Sequence, residues 1–277
     1  MKPTTLLLRS RLSTLLILLT LFSTKALATT NDTSLNTDDP CRGHNAFLAL
    51  INRPTNADSV CVLQEDQAIA EVGLQYLSAR PDGAGYNYPQ LQINVGLPGK
   101  SQLTFLSSYN QQTSASGLGP ITLGFKHEVG RTQNSIFSAE GIYTPPFGSA
   151  SFGSAKGGIT LNGIASYAVT PHISLLGMLG LSEQSLPSLA DAHTYVSVNP
   201  DVVLSWQHSV LPLQLYAEIF GQTSTGTGTG GGYNADAGIQ YLITQNFEVD
   251  LEQGVRLTGE LGGYNYYTEV GFGFLFG

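Results

Sequence analysis

Glu248, Asp250 and Glu252 are spaced by two, with Val249 and Leu251 between them. In an extended chain such residues share one face, successive members about 7 Å apart. Carboxylates so placed suit three kinds of chemistry. They can work in pairs on a hydrolysis, hold calcium if other segments add oxygens, or make the wall of a pore acidic. The same inward parity in other segments collects Glu71, Lys126, Glu128, Glu140, Asp201, Glu218, Asp236, Arg256 and Glu269. Acids heavily outnumber bases in this set. An inner wall of that kind favours cations or neutral polar solutes. A hydrogen-bonded filling of acids, amides, Lys126 and Arg256 that stiffens a closed interior is the structural alternative.

No stronger chemical signature competes. His44, His127, His172, His193 and His208 are scattered and form no metal-binding spacing. His193 shares a loop with Ser185 and Ser188, but nothing marks a nucleophile and base there. The Gly-rich run Thr223–Gly232 is followed by neither a helix nor Lys-Ser/Thr, so a phosphate loop is excluded. No catalytic residue, metal or cofactor is expected.

The elements that position these residues read as strands. Twelve alternating segments are predicted at 67–79, 88–98, 101–110, 120–129, 134–145, 158–169, 172–183, 193–206, 212–222, 233–243, 246–257 and 264–276. In the second, Leu91, Ile93, Val95 and Leu97 alternate with Gln90, Gln92, Asn94 and Gly96. In the last, Tyr266, Val270, Phe272, Phe274 and Phe276 alternate with small or acidic residues. Links after even-numbered segments are tight, as at Pro98-Gly99-Lys100 and Thr244-Gln245. Most links after odd-numbered ones are longer and rich in Gly, Ser and Pro. Apolar-out, polar-in strands with short turns at one end and longer loops at the other predict an all-β, transmembrane, antiparallel up-and-down barrel of about 12 strands, spanning residues 66–277. An even count puts both termini on the periplasmic side of a Gram-negative outer membrane.

Residues 1–28 read as a signal peptide. Lys2, Arg9 and Arg11 precede the apolar run Leu12–Phe22, and Ala26-Leu27-Ala28 is a cleavage site. The run is well short of the roughly 20 residues of a spanning helix. This segment carries four of the twelve basic residues and none of the twenty acidic ones, so the remainder has a net charge of −12. Such a surface excludes nucleic acid as a partner. Residues 29–65 are expected to form a short periplasmic segment, with an apolar stretch Ala46–Ile51 and a Cys41–Cys61 disulfide. A two-thiol metal site is the alternative, but no His or Cys lies at suitable spacing. The segment is too small to fold alone and must lean on the barrel, beneath its mouth or within it.

Aromatic residues mark both strand ends. Tyr86, Tyr88, Tyr109, Tyr143, Tyr195, Tyr233, Tyr264 and Tyr266 fall near the predicted outer loops, and Trp206, Phe247, Phe274 and Phe276 near the periplasmic ends. Membrane lipid and lipopolysaccharide are the expected surroundings. The last segment resembles the signal read by the barrel-assembly machinery, although Gly277 follows the terminal Phe276.

Three stretches resemble the MetA-pathway phenol-degradation family of outer-membrane transporters: Gln90–Phe105 (QLQINVGLPGKSQLTF), Gly117–Lys126 (GLGPITLGFK) and Tyr143–Ser149 (YTPPFGS). Pro120 replaces the family's usual Asp, and Pro-Phe-Gly its Pro-Thr-Gly. The resemblance covers residues 67–277 and leaves the Cys41–Cys61 segment outside. It implies passive movement of small solutes, aromatic or hydrophobic ones among them, and no catalytic residues. Inward apolar positions Leu106, Ile142, Ile164, Leu176, Met178, Tyr216, Phe220, Leu242, Tyr267 and Leu275 would supply either a greasy path or packing in a closed barrel. The expected function is an outer-membrane channel or passive transporter, with the 41–61 segment as plug or gate. A closed structural or surface-interaction barrel and a barrel enzyme acting on lipids are the alternatives.

Overall fold

The structure, a computed structural model, describes residues 39–43, 45–80, 83–226 and 230–277. The expected signal peptide, the tail up to residue 38 and His44 lie outside the described residues. Within them the chain forms one short α-helix, α1 (Ala46–Leu50), two three-residue 3-10 turns at Ser188–Ala190 and Leu261–Gly263, and thirteen strands. These are β1 (Ala68–Arg80), β2 (Gly83–Leu97), β3 (Ser101–Gln111), β4 (Ser116–Leu118), β5 (Thr122–Arg131), β6 (Ser135–Thr144), β7 (Gly158–Thr170), β8 (Ile173–Ser185), β9 (Thr194–Gln207), β10 (Leu213–Gln222), β11 (Gly232–Thr244), β12 (Phe247–Gly259) and β13 (Tyr266–Phe276).

Each long strand pairs antiparallel with its neighbours in sequence. β13 returns to β1, from Ala68↔Phe276 to Leu77↔Tyr267, and closes the sheet. The three-residue β4 pairs only with the end of β3, so twelve strands build the wall. Closure leaves no unpaired edge, the condition a sheet must meet in hydrocarbon.

Two details differ from the alternation reading. β2 begins at Gly83, and Arg80 pairs with Gly83, so the expected outer loop at 80–87 is only a two-residue link. Pro89 concealed this extension, since proline reads against a strand. The β2–β3 ladder skips between Asn87 and Gln90, so Pro89 sits at an irregularity where no ladder N–H is needed. β4 lies in the long link after β3, where no hydrophobic alternation announces it.

The outer face is apolar. Leu103, Phe125, Leu161, Leu179, Val202, Ile219, Leu251 and Phe272 all stand exposed on the wall, as lipid-facing side chains do. Tyr86, Tyr88, Tyr143, Tyr233 and Tyr266 are exposed near the long-loop end. Phe274, stacked on Phe247 at 4.6 Å, and Trp206 lie near the other end. Tyr264 is instead buried inside, where its hydroxyl accepts from Asn234 Nδ2 at 2.8 Å. Tyr195 likewise shares its side of β9 with the inward Ser197 and Asp201, and donates to Gln184. Val202 sits at mid-strand on the lipid side. Val202→Arg is therefore expected to lower folding stability by about 2–4 kcal/mol, read by denaturant titration in lipid vesicles.

The core of the molecule is the N-terminal segment. Residues 46–63 run inside the barrel rather than beneath its mouth. Phe47, Leu48, Leu50 and Ile51 of the α1 region, with Ala57, Val60 and Leu63, form one cluster with the inward Ile69, Ile136, Ile164, Met178, Tyr216 and Leu242. Leu176 and Leu275 pack against the same cluster. Phe220 and Tyr267 join Tyr264 in a second, smaller cluster towards the long loops. Leu106 and Ile142 are only partly buried and belong to neither cluster. Cys41 and Cys61 are joined in a disulfide, their Cα atoms 5.5 Å apart.

Candidate functional site

Of the twelve charged residues expected inside, eleven are buried on the inner wall, from Glu71, Lys126 and Glu248 at 0% exposure to Asp236 and Asp250 at 6%. Arg256 differs. It is half-buried near the long-loop end and donates to Asn265 Oδ1 at 2.7 Å. The strand period places these residues inside; what they meet there is set by residues 52–63.

Arg53 is the centre of that meeting. Its Nη1 lies 2.6 Å from Glu269 Oε1 and donates to Gln90 Oε1 at 3.0 Å. Its Nη2 lies 3.3 Å from Asp250 Oδ1. The Arg53 backbone N–H donates to Glu71 at 2.8 Å, that of Asn52 donates to the same carboxylate at 3.2 Å, and Asn94 Nδ2 donates to it at 2.8 Å. Gln240 donates to the Arg53 carbonyl at 2.7 Å. Burial alone would lower the Arg53 pKa, but the charges of Glu269, Asp250 and Glu71 outweigh it and raise the pKa, so the guanidinium stays charged.

Two glycines make room for the guanidinium. Gly73 on β1 and Gly271 on β13 are paired in register. A Cβ on either would collide with the guanidinium group. Gly96 and Gly273 are used in the same way. A side chain at Gly96 would strike the Gln64 carbonyl, and one at Gly273 would strike Ile51. Small inward residues thus outline the segment in the wall.

The contact continues along the segment. The backbone N–H groups of Asn56 and Ala57 both donate to Glu218, at 2.9 and 2.8 Å, and Asn56 Nδ2 donates to Asp201 at 2.8 Å. Lys126 Nζ donates to the Ser59 carbonyl at 2.8 Å, Ser138 donates to that of Val60, and Leu63 N–H donates to Gln102 at 3.2 Å. At the short-turn end Glu128 pairs with Lys100 at 2.7 Å and Arg131 at 2.6 Å, and Arg131 also reaches Asp39. A hollow of about 320 Å³ opens there between Arg42, Gln64, Pro98 and Lys100. The segment therefore enters from the end that carries the tight turns.

The wall also partners itself. Tyr216 donates to Glu252 at 2.8 Å, and Tyr267 donates to Asp236 at 2.7 Å and also contacts Glu252. Asn162 donates to Glu140 at 2.9 Å. Asp201, Glu218, Asp236, Glu252 and Glu269 come from five adjacent strands, β9 to β13. Glu218 stands opposite Asp236 and Glu252 opposite Glu269 in the ladder.

Among the described residues no group of three or more His, Cys, Asp or Glu side chains is placed to hold a metal. His193 is bonded to the Gly226 carbonyl, while Ser185 Oγ donates to the Leu186 carbonyl. His127 stands exposed on the outer face and bonds Ser101.

The sequence profile of the family described as "Putative MetA-pathway of phenol degradation" matches residues 52–276. The chain belongs to that family. The match of the phenol-degradation family begins at Asn52, beside Arg53, and not at the first strand. The inner part of the segment is thus common ground with the family, which the resemblance read from strand motifs alone had left out. No curated protein matches the chain. Among solved structures, this member of the phenol-degradation family is similar to an outer membrane channel from Pseudomonas putida F1, at 13% identity and TM-score 0.64, covering 80% of this chain and all of that one. It is similar also to the NanC porin, at 9% identity and TM-score 0.54, covering 75% of this chain and 98% of that one. At these identities the likeness is one of fold.

Proposed function

We propose that this protein is a passive channel or transporter for small solutes in the outer membrane of a Gram-negative cell, closed in this structure by its own N-terminal segment. One observation carries the reading. At mid-height the wall's Glu71, Lys126, Asp201, Glu218, Asp250 and Glu269 are met by residues 52–59. A barrel filled for rigidity alone would complete these pairs within its own strands. Here the partners sit on a length of chain tied to the wall by side-chain bonds rather than strand ladders. Withdrawing it leaves a polar bore in which acids predominate, favouring cations and neutral solutes.

On this reading the short turns and both chain ends face the periplasm. Lipid and lipopolysaccharide meet the apolar belt, and the barrel-assembly machinery reads β13. Aromatic solutes would find Tyr264, Tyr267 and Phe220 on the outer side of the segment, in keeping with the family's description. A closed structural barrel is the second reading, favoured by the number of bonds that hold the segment.

Planar-bilayer recordings separate the two. The intact refolded protein is expected to conduct rarely, and a variant lacking residues 39–63 to give steady, cation-preferring steps. Silence from both, with each shown to be folded, would establish the closed structural barrel instead.

A further inference from the structure

The pocket around Arg53 is built from the wall and only occupied by the segment. Glu269, Asp250 and Gln90 meet the guanidinium edge, and the paired Gly73 and Gly271 leave a flat space against it. Such an arrangement fits a planar, forked cation better than a compact ammonium, whose three donors point out of one plane.

The pocket also holds more acid than Arg53 uses. Glu248, the next inward residue of β12 from Asp250, is fully buried, yet neither of its oxygens has a hydrogen-bond partner. Asp250 Oδ2 is likewise without a partner. A surplus of buried, unpartnered acceptors beside a guanidinium-shaped space marks a site for a cation to enter.

We propose that this pocket is a binding site of the barrel wall for guanidinium-bearing solutes, with Arg53 as its built-in occupant. The inference rests on the channel reading and supplies its solute class. A solute carrying a guanidinium competes with Arg53 for Glu269 and Asp250, and in taking the place of Arg53 it releases the tip of the segment. The site is then both a selectivity filter and the point at which solute and plug exclude one another.

The test uses the full chain with Arg53→Ala, which vacates the pocket and leaves the wall intact. Calorimetry in detergent with methylguanidinium is expected to show saturable binding to this variant, about tenfold tighter than methylammonium, because the planar cation spans Glu269 and Asp250 with separate nitrogens as Arg53 does. N-methylurea, its uncharged relative, should not bind. Adding Gly271→Ala to Arg53→Ala should abolish binding. Equal affinity for methylguanidinium and methylurea, or no binding by a folded Arg53→Ala protein, overturns the proposal. Because the readout is binding, a barrel that binds methylguanidinium but never conducts would overturn the channel reading and leave the site standing.

Should Arg53→Ala not refold, hydrogen exchange on the unmodified protein decides the matter. Methylguanidinium should speed exchange at the Asn52 and Arg53 amides, which Glu71 now holds, and methylurea should not. Unchanged exchange with both compounds overturns it.

Discussion

Replacing both Cys41 and Cys61 by Ala is expected to raise the conducting fraction of the barrel on the order of a hundredfold. The bridge closes a loop across a sequence separation of 20, which is worth about 3 kcal/mol in the chain-entropy model. That constraint acts on the withdrawn segment, not on the docked one. Inside the barrel the segment's backbone is already fixed by Glu71, Glu218, Lys126 and Gln102. Outside, a piece this short cannot fold by itself, and the bridge is what limits its freedom. Removing the bridge lets the withdrawn state gain entropy while the barrel's ladders stay untouched. About 3 kcal/mol corresponds to slightly over two powers of ten in an equilibrium. Single-channel recording before and after mild reduction, and on the double alanine variant, measures the effect directly. Reoxidation of the reduced wild-type protein should restore closure. Indistinguishable open fractions would mean that the segment never leaves, and would remove the gate from the mechanism.

The barrel was legible because its physics repeats. A period of two and the cost of placing a charge in lipid assign nearly every strand and the inward face from residue type alone. Glu248, Asp250 and Glu252 needed no more than that. The irregular places were not legible. β2 extends through Pro89 to Gly83, and β4 follows no alternation. Tyr264, grouped with the outer belt by its position near a strand end, is turned inward to meet Asn234 and Tyr267.

The partners of the inner wall were hidden for a different reason. Arg53 lies in a loop without a period, and its bonds to Asp250 and Glu269 cross about two hundred residues of sequence. Arg53 is the one Arg or Lys between the two cysteines of the segment besides Arg42, and a basic residue that follows an apolar stretch obliged to lean on an acid-lined barrel is a readable hint. So are Gly73, Gly96, Gly271 and Gly273, inward glycines in strands that otherwise gain nothing from them. They mark where another part of the chain approaches the wall.

Glu71→Ala is expected to release the segment more strongly than any other single change in the wall. The Glu71 carboxylate is fully buried and accepts from the Asn52 and Arg53 backbone and from Asn94. Removing it leaves two backbone N–H groups unpartnered inside the barrel, each costing about 1–3 kcal/mol. The docked state therefore loses about 2–6 kcal/mol relative to the withdrawn one, in which water satisfies both groups. The loss of one negative charge beside Glu248 works in the opposite direction and moderates the effect. β1 itself is held by backbone ladders to β2 and β13, so the barrel should still fold and keep its heat-modifiable mobility on gels. Glu71→Gln retains one acceptor oxygen for these donors and should fall between wild type and alanine. The measurement is hydrogen exchange over residues 45–63, read beside conductance. Faster exchange there with unchanged strands, in the order alanine, glutamine, wild type, is the expected result. Uniform protection across all three proteins would show that the apolar contacts of Phe47, Leu50 and Ile51 hold the segment unaided, and that the carboxylate serves the wall instead.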